Sequence, residues 1–139
     1  MKVLTIGATG FIGPPVVGWL DEQGHEVAVF HRGETEADLP DSTCHIHGNR
    51  SNLSEFRDTF ERFGSEVVID VVPYTEAQIR QTVEVFAGLV DRLVVVSSSD
   101  VYRNYDGWRG ESTHSPDPVP LGEDAPLREK HYPYRGYEG

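Results

Sequence analysis

Residues 2–20 read KVLTIGATGFIGPPVVGWL, and Gly7, Gly10 and Gly13 stand at three-residue intervals between an apolar run and a stretch with helical spacing. So much flexible backbone costs conformational entropy, and the segment needs a reason for it. Strand, glycine turn and helix in that order give each glycine a separate job. Gly7 lets the chain turn off the strand, Gly10 removes a Cβ that would hold a pyrophosphate away, and Gly13 lets the helix lie close to the sheet. The first helical amides then face a phosphate with the positive end of the helix dipole. Pro14 and Pro15 suit this place, because a first helical turn has no intrahelical partner for the N–H groups they lack. A glycine-rich turn serving only close packing is the competing reading. Its position at the start of a strand-helix-strand unit favours dinucleotide binding.

The rest of the chain alternates in the same way. Residues 3–6 form a β-branched run, and Ile12, Val16, Val17 and Leu20 share a helical face that ends at Gly24. HEVAVF is a second strand and STCHIHG a weaker third. Leu53, Phe56, Phe60 and Phe63 mark a helix stopped by Gly64, EVVIDVV is strand four, Ile79, Val83, Phe86 and Ala87 mark a third helix, and RLVVVSS is strand five. Strands apolar on both faces, alternating with helices, predict an α/β fold: a Rossmann-like doubly wound parallel sheet of order 3-2-1-4-5. Residues 1–102 are read as this dinucleotide-binding domain. Residues 103–139, dense in Pro, Gly and charge, are read as an irregular, loop-rich tail. Trp19 and the phenylalanines at helical spacing are read as core.

The chain has 139 residues, the size of one domain, with a net charge of -11 and a mean hydropathy of -0.43. That acidity argues against a nucleic-acid partner, whose phosphates call for clustered Lys and Arg. Cys44 is the single cysteine, so no internal disulfide forms, and a reducing, cytoplasmic compartment is expected. No apolar run approaches the roughly 20 residues of a membrane helix. No membrane partner is expected. His45 and His47 share one face of a strand at a spacing that suits a metal, but no Cys or carboxylate joins them at matched spacing. They are read as exposed histidines, with no metal site.

Three ordered motifs, GATGFIG near the N-terminus, HGNR after strand three and SSSDVY after strand five, resemble the NAD-dependent epimerase/dehydratase branch of the short-chain dehydrogenase/reductases, in its extended or atypical form. EDAPLRE and YPY are looser echoes. The resemblance implies cofactor contacts from Gly7, Thr9, Gly10, Phe11, Ile12 and Gly13 in the first motif. It places Asn49, beside Arg50, where a family aspartate usually meets the adenine edge; Asn both donates and accepts, and a turn role after Gly48 is as good an account. Val71 and Pro73 would line the ribose side, or simply end a strand.

The second strand runs into VFHRGET, where an NAD site would carry an acid that grips the ribose hydroxyls. Arg32 stands there instead. A guanidinium takes a 2′-phosphate bidentately, so NADP is the expected cofactor, with His31 as a second contact and NAD as the alternative. Glu34 is near enough to pair with Arg32 and weaken this argument.

In the resembled family a Ser or Thr after strand five holds the substrate oxygen, and a Tyr acts as acid/base beside a Lys four residues on. Aligning SSSDVY by its end puts Ser98 in the first role; capping the loop is the alternative for all three serines. Tyr134 in YPYRGYE is the candidate tyrosine, but Glu138 stands where the lysine belongs. A glutamate would not lower the tyrosine pKa. The resemblance thus implies an NAD(P)-dependent oxidoreductase or epimerase-like protein acting on a hydroxyl or carbonyl of a sugar nucleotide or similar small molecule. Family members are usually much longer, so this chain is expected to be the cofactor-binding part, with its substrate held by a region beyond it. Cofactor binding without turnover is expected, and a homo-oligomer is left open. The alternative is a non-catalytic dinucleotide-binding sensor or interaction module, as in chloroplast stem-loop RNA-binding proteins, although the acidity disfavours RNA.

Overall fold

The first strand, β1 (Lys2–Ile6), buries every residue from Val3 onward, as a strand covered on both faces must. In the computed structural model, which describes residues 1–35, 37–108, 110, 115 and 117–129, it is followed by α1 (Gly13–Glu22), β2 (Glu26–His31) and β3 (Cys44–His47). After a 3₁₀ stretch (Arg50–Phe56) come α2 (Arg57–Phe63), β4 (Val67–Asp70), α3 (Glu76–Phe86) and β5 (Arg92–Val95). The five strands are parallel in the order β3-β2-β1-β4-β5, as the alternation predicts. Contacts divide the chain into two units, Met1–Val96 and Ser97–Gly139.

Strand alternation sends Leu4, Ile6, Phe30 and Val68 to one face of the sheet, where Leu53, Phe60, Val85 and Phe86 cover them. Phe30, Phe60 and Phe86 meet there in edge and tilted contacts with centroids 5.0 to 5.4 Å apart. Val3, Val27 and Val29 face the other way, onto Val17 and Leu20 of α1. Trp19 is not core, contrary to the sequence reading. The inward stripe of α1 is Gly13, Val17 and Leu20, which leaves the indole 59% exposed.

Two helices differ from expectation for local reasons. The helix expected from Leu53 to Phe63 is divided at Phe56 (φ -97°, ψ 4°): its first part belongs to the 3₁₀ stretch, which opens with the Asn49 side chain accepting the Ser51 N–H, and only Arg57–Phe63 is α-helical. Leu53 and Phe60 are still buried. α3 begins with a reciprocal capping box between Thr75 and Gln78, but its inward stripe is Thr82, Val85 and Phe86. Ile79 and Val83, which mark this helix in the sequence, are 36% and 50% exposed. A polar contact decides the rotation: Thr82 turns in to reach Asp70, with Oγ1 2.8 Å from a carboxylate oxygen.

In the second unit Ser99–Val101 forms a 3₁₀ turn and Asn104–Trp108 a short helix, α4. The unit starts before residue 103 because that turn bonds to residues 126–128 through an isolated Tyr102–Leu127 bridge and the Arg128 N–H to Val101 carbonyl bond (2.9 Å). The buried Arg128 guanidinium adds ion pairs to Asp100 (2.9 Å) and Asp106 (3.1 Å). The described part of the tail is irregular, as its composition predicts, and these contacts tie it to the 3₁₀ turn. Among the described residues no helix is long and apolar enough to cross a membrane.

Candidate functional site

The sheet order reverses at β1, whose neighbours β2 and β4 lead away in opposite directions, and a crevice opens beyond the strand ends at such a switch point. Gly7 makes the turn off β1. Its φ of +79° is costly for any side chain, its N–H donates to the Phe30 carbonyl (2.9 Å), and a Cβ there would stand 2.2 Å from a Val72 methyl. A Cβ on Gly13 would lie 2.1 Å from the Ala8 carbonyl oxygen, so this glycine lets α1 close onto the turn itself. Among the described residues, a Cβ on Gly10 would meet nothing within 4 Å. Packing explains the first and third glycines and leaves the middle one facing open space.

That space is a cleft of about 400 Å³. Of the residues singled out by sequence, Gly7, Thr9, Gly10, His31, Arg32, Asn49 and Arg50 line it. Phe11 and Ile12 sit on the turn outside its wall, 99% and 48% exposed. They precede the first helical turn of α1, where Pro14 and Pro15 carry no N–H and the Gly13 N–H is bonded to the Gly10 carbonyl (3.1 Å). The donors left to meet an anion at this end are those just ahead of the helix. Val72 lines the cleft, whereas Val71 packs on the α1 side of the sheet beside Val3 and Val17, one step of strand alternation away. Pro73 is not on the wall; Tyr74 and Gln78 are.

Arg50 is held from beneath. Its terminal nitrogens bond both oxygens of Asp70 at 2.6 and 2.7 Å, and one of them also reaches Thr82 Oγ1 (3.0 Å) and the Gln78 carbonyl (3.2 Å). Asp70 is fully buried and the Arg50 side chain is 13% exposed. A bidentate pair of this kind has well-defined geometry, and it ties the segment after β3 to the end of β4 and the first turns of α3. The sequence reading missed Asp70, although an acid inside the apolar run VVIDVV was a visible signal. Gly48 was missed too; a Cβ there would stand 2.5 Å from the rings of Phe30 and Phe56.

At the β2 end, Arg32 pairs with Glu34 at 3.1 Å, both side chains being more than 60% exposed. His31 Nδ1 accepts the Gly33 N–H (3.2 Å), and its Nε2 lies 2.9 Å from His45 Nδ1. Burial holds the His31 pKa below its ordinary value, and the positive charges that His47 and His45 carry when protonated add to the effect. Ser98, in the second unit, caps its 3₁₀ turn: its Oγ accepts the Asp100 N–H at 3.2 Å. Tyr134 lies outside the described residues.

A model of the NAD dependent epimerase/dehydratase family matches residues 3–123. Among curated proteins, a 2′-dehydrokanamycin reductase of Streptomyces kanamyceticus is 33% identical over 98 residues, 70% of this chain and 28% of the reductase. Chloroplast stem-loop binding protein of 41 kDa b from Arabidopsis thaliana is 25% identical over 118 residues, 76% of this chain and 31% of that protein. The chain thus spans less than a third of the curated relatives it matches. Among solved structures, the Bordetella bronchiseptica enzyme WbmG in complex with NAD has the same fold, with a TM-score of 0.69 and 17% identity over 92% of this chain and 44% of WbmG.

Proposed function

This chain belongs to the NAD dependent epimerase/dehydratase family, and from that premise we propose that its cleft binds the adenosine and pyrophosphate portion of a nicotinamide dinucleotide, NADP in preference to NAD. The reading is carried by the glycine turn: two of its glycines answer to packing, while Gly10 keeps a bare backbone toward a cleft at the switch point. The Phe11 and Ile12 amides take the pyrophosphate. Asn49, whose Oδ1 is occupied by the Ser51 N–H, keeps its amide hydrogens for an adenine nitrogen. Arg32 takes the 2′-phosphate in exchange for Glu34, since an exposed ion pair is worth only about 0–1 kcal/mol and a phosphate dianion outcompetes it. Arg50 is a positioning residue that supports Asn49 and stays with Asp70.

The nicotinamide of the bound cofactor supplies hydride exchange. The substrate is a hydroxyl or carbonyl compound of the sugar-nucleotide kind. Ser98 orients the substrate oxygen: its Oγ accepts from Asp100, so the hydroxyl proton remains to be donated. Tyr134 is the candidate proton carrier, with Glu138 in place of the supporting lysine. That departure, and a relative named for stem-loop binding rather than for catalysis, favour as second reading a dinucleotide-binding module without turnover.

Isothermal titration of the chain with NADPH, NADP, NADH and NAD tests the proposal. Tighter binding of the 2′-phosphorylated forms supports it. No binding of any of the four overturns the cleft reading, and equal affinities overturn the role of Arg32.

A further inference from the structure

Two histidines at alternate positions of a strand are too few for a metal centre, but the sheet brings a third. In the β2-β3 register His31 lies opposite His47, and His45 lies one step back opposite Val29, so all three imidazoles share a face at the open edge of the sheet. Ring centroids are 5.1 Å apart for His31 and His45, 4.7 Å for His31 and His47, and 6.2 Å for His45 and His47. One ligating atom from each lies within 4.8 Å of the other two.

We propose that His31, His45 and His47 bind one divalent cation of the borderline class, zinc in the first instance, at the edge of the sheet beside the mouth of the cleft. Imidazole nitrogens suit zinc, and three of them with an open fourth position for water are an established coordination set. Zinc–nitrogen bonds of about 2.0–2.1 Å in a tetrahedron place the nitrogens roughly 3.4 Å apart. Nitrogens as far apart as 4.8 Å have to close by about 1.4 Å, and the exposed positions of His45 and His47 leave room for that movement.

The third ring adds a specific consequence. Because the Gly33 N–H can only donate, His31 Nδ1 accepts, and the ring proton sits on Nε2, donated to His45 Nδ1. An ion bound at Nε2 takes the place of that proton. The neutral ring then carries its proton on Nδ1, facing the Gly33 N–H, and the Gly33 bond gives way. Metal binding is thereby felt in the turn that carries Arg32. The site does not depend on whether the cleft takes a dinucleotide, and a nucleotide-free titration reads it directly.

The test is calorimetric titration of the untagged chain with zinc chloride alone, repeated with His45→Gln, His47→Gln and the remote control His25→Gln, with circular dichroism to confirm that each is folded. One zinc per chain is expected. Each ligand variant should weaken binding by more than the roughly tenfold that even an outer-shell change costs, and His25→Gln should change nothing. In a second measurement zinc should shift the Gly33 amide resonance in the wild type and leave it in place in His31→Gln. Absence of zinc binding by the wild type overturns the site. So does affinity unchanged in either ligand variant, or a Gly33 amide indifferent to zinc.

Discussion

Asp70→Asn keeps the shape of a fully buried side chain but removes its charge and turns an N–H₂ toward the Arg50 guanidinium. The wild-type carboxylate gives both oxygens to Arg50 at 2.6 and 2.7 Å and accepts from Thr82 at 2.8 Å. With Arg50 only 13% exposed, the orphaned cation has little water to turn to. Breaking a buried pair by removing one partner costs about 3–5 kcal/mol. We expect the lower end, about 3 kcal/mol, since Thr82 Oγ1 and the Gln78 carbonyl still accept from Arg50. For a chain of this size that is a fall in Tm of roughly 10 °C. The assay is urea unfolding followed by circular dichroism, with matched slopes required before midpoints are compared. Arg50→Met paired with Asp70→Leu should recover stability to within about 1 kcal/mol of wild type, because apolar replacement of a whole buried pair is often neutral. A cost under about 1 kcal/mol for Asp70→Asn would refute the reasoning: it would mean that Arg50 is solvated and free to turn into the cleft.

Gly10→Val should abolish cofactor binding in titration while the circular dichroism spectrum is retained, since its side chain enters open space on the cleft side; Gly13→Ala should instead destabilise the fold, its Cβ meeting the Ala8 carbonyl. Arg32→Asp should reverse the preference between NADPH and NADH, and Glu34→Gln should raise NADPH affinity by releasing Arg32, both read by calorimetry. In chelator, the wild type should lose stability relative to His31→Gln as pH falls below about 6.5. The sign follows from the lowered folded-state pKa of His31: the unfolded chain takes the proton first, so the stabilisation is present above the unfolded pKa and is lost on acidification toward the folded one. Urea melts across that range would check it, and an identical pH profile for the variant would count against the buried, neutral imidazole.

The strand-helix alternation, the sheet order and the place of the glycine turn were legible in the sequence, because each is written in a short window: apolar period, strand ends, the backbone freedom of Gly7. The family motifs were legible for the same reason. What the tertiary structure decided is which neighbour of a pair matters and which distant residues meet. Val72 rather than Val71 lines the cleft because pairing with β1 sets the face on which each residue of β4 and its extension points. Ile79 and Val83 yield the inward face of α3 to Thr82 because a buried carboxylate, contributed by a strand earlier in the chain, needs a hydrogen-bond donor more than the core needs two more methyl-bearing side chains. Arg50 and Asp70 are twenty residues apart in sequence and His31 and His45 fourteen, yet each pair is within hydrogen-bond distance. Hydrophobic period reports whether a residue faces in or out within its own element. It carries no information on which element lies alongside, and the chemistry of this cleft and of the histidine edge depends on that adjacency.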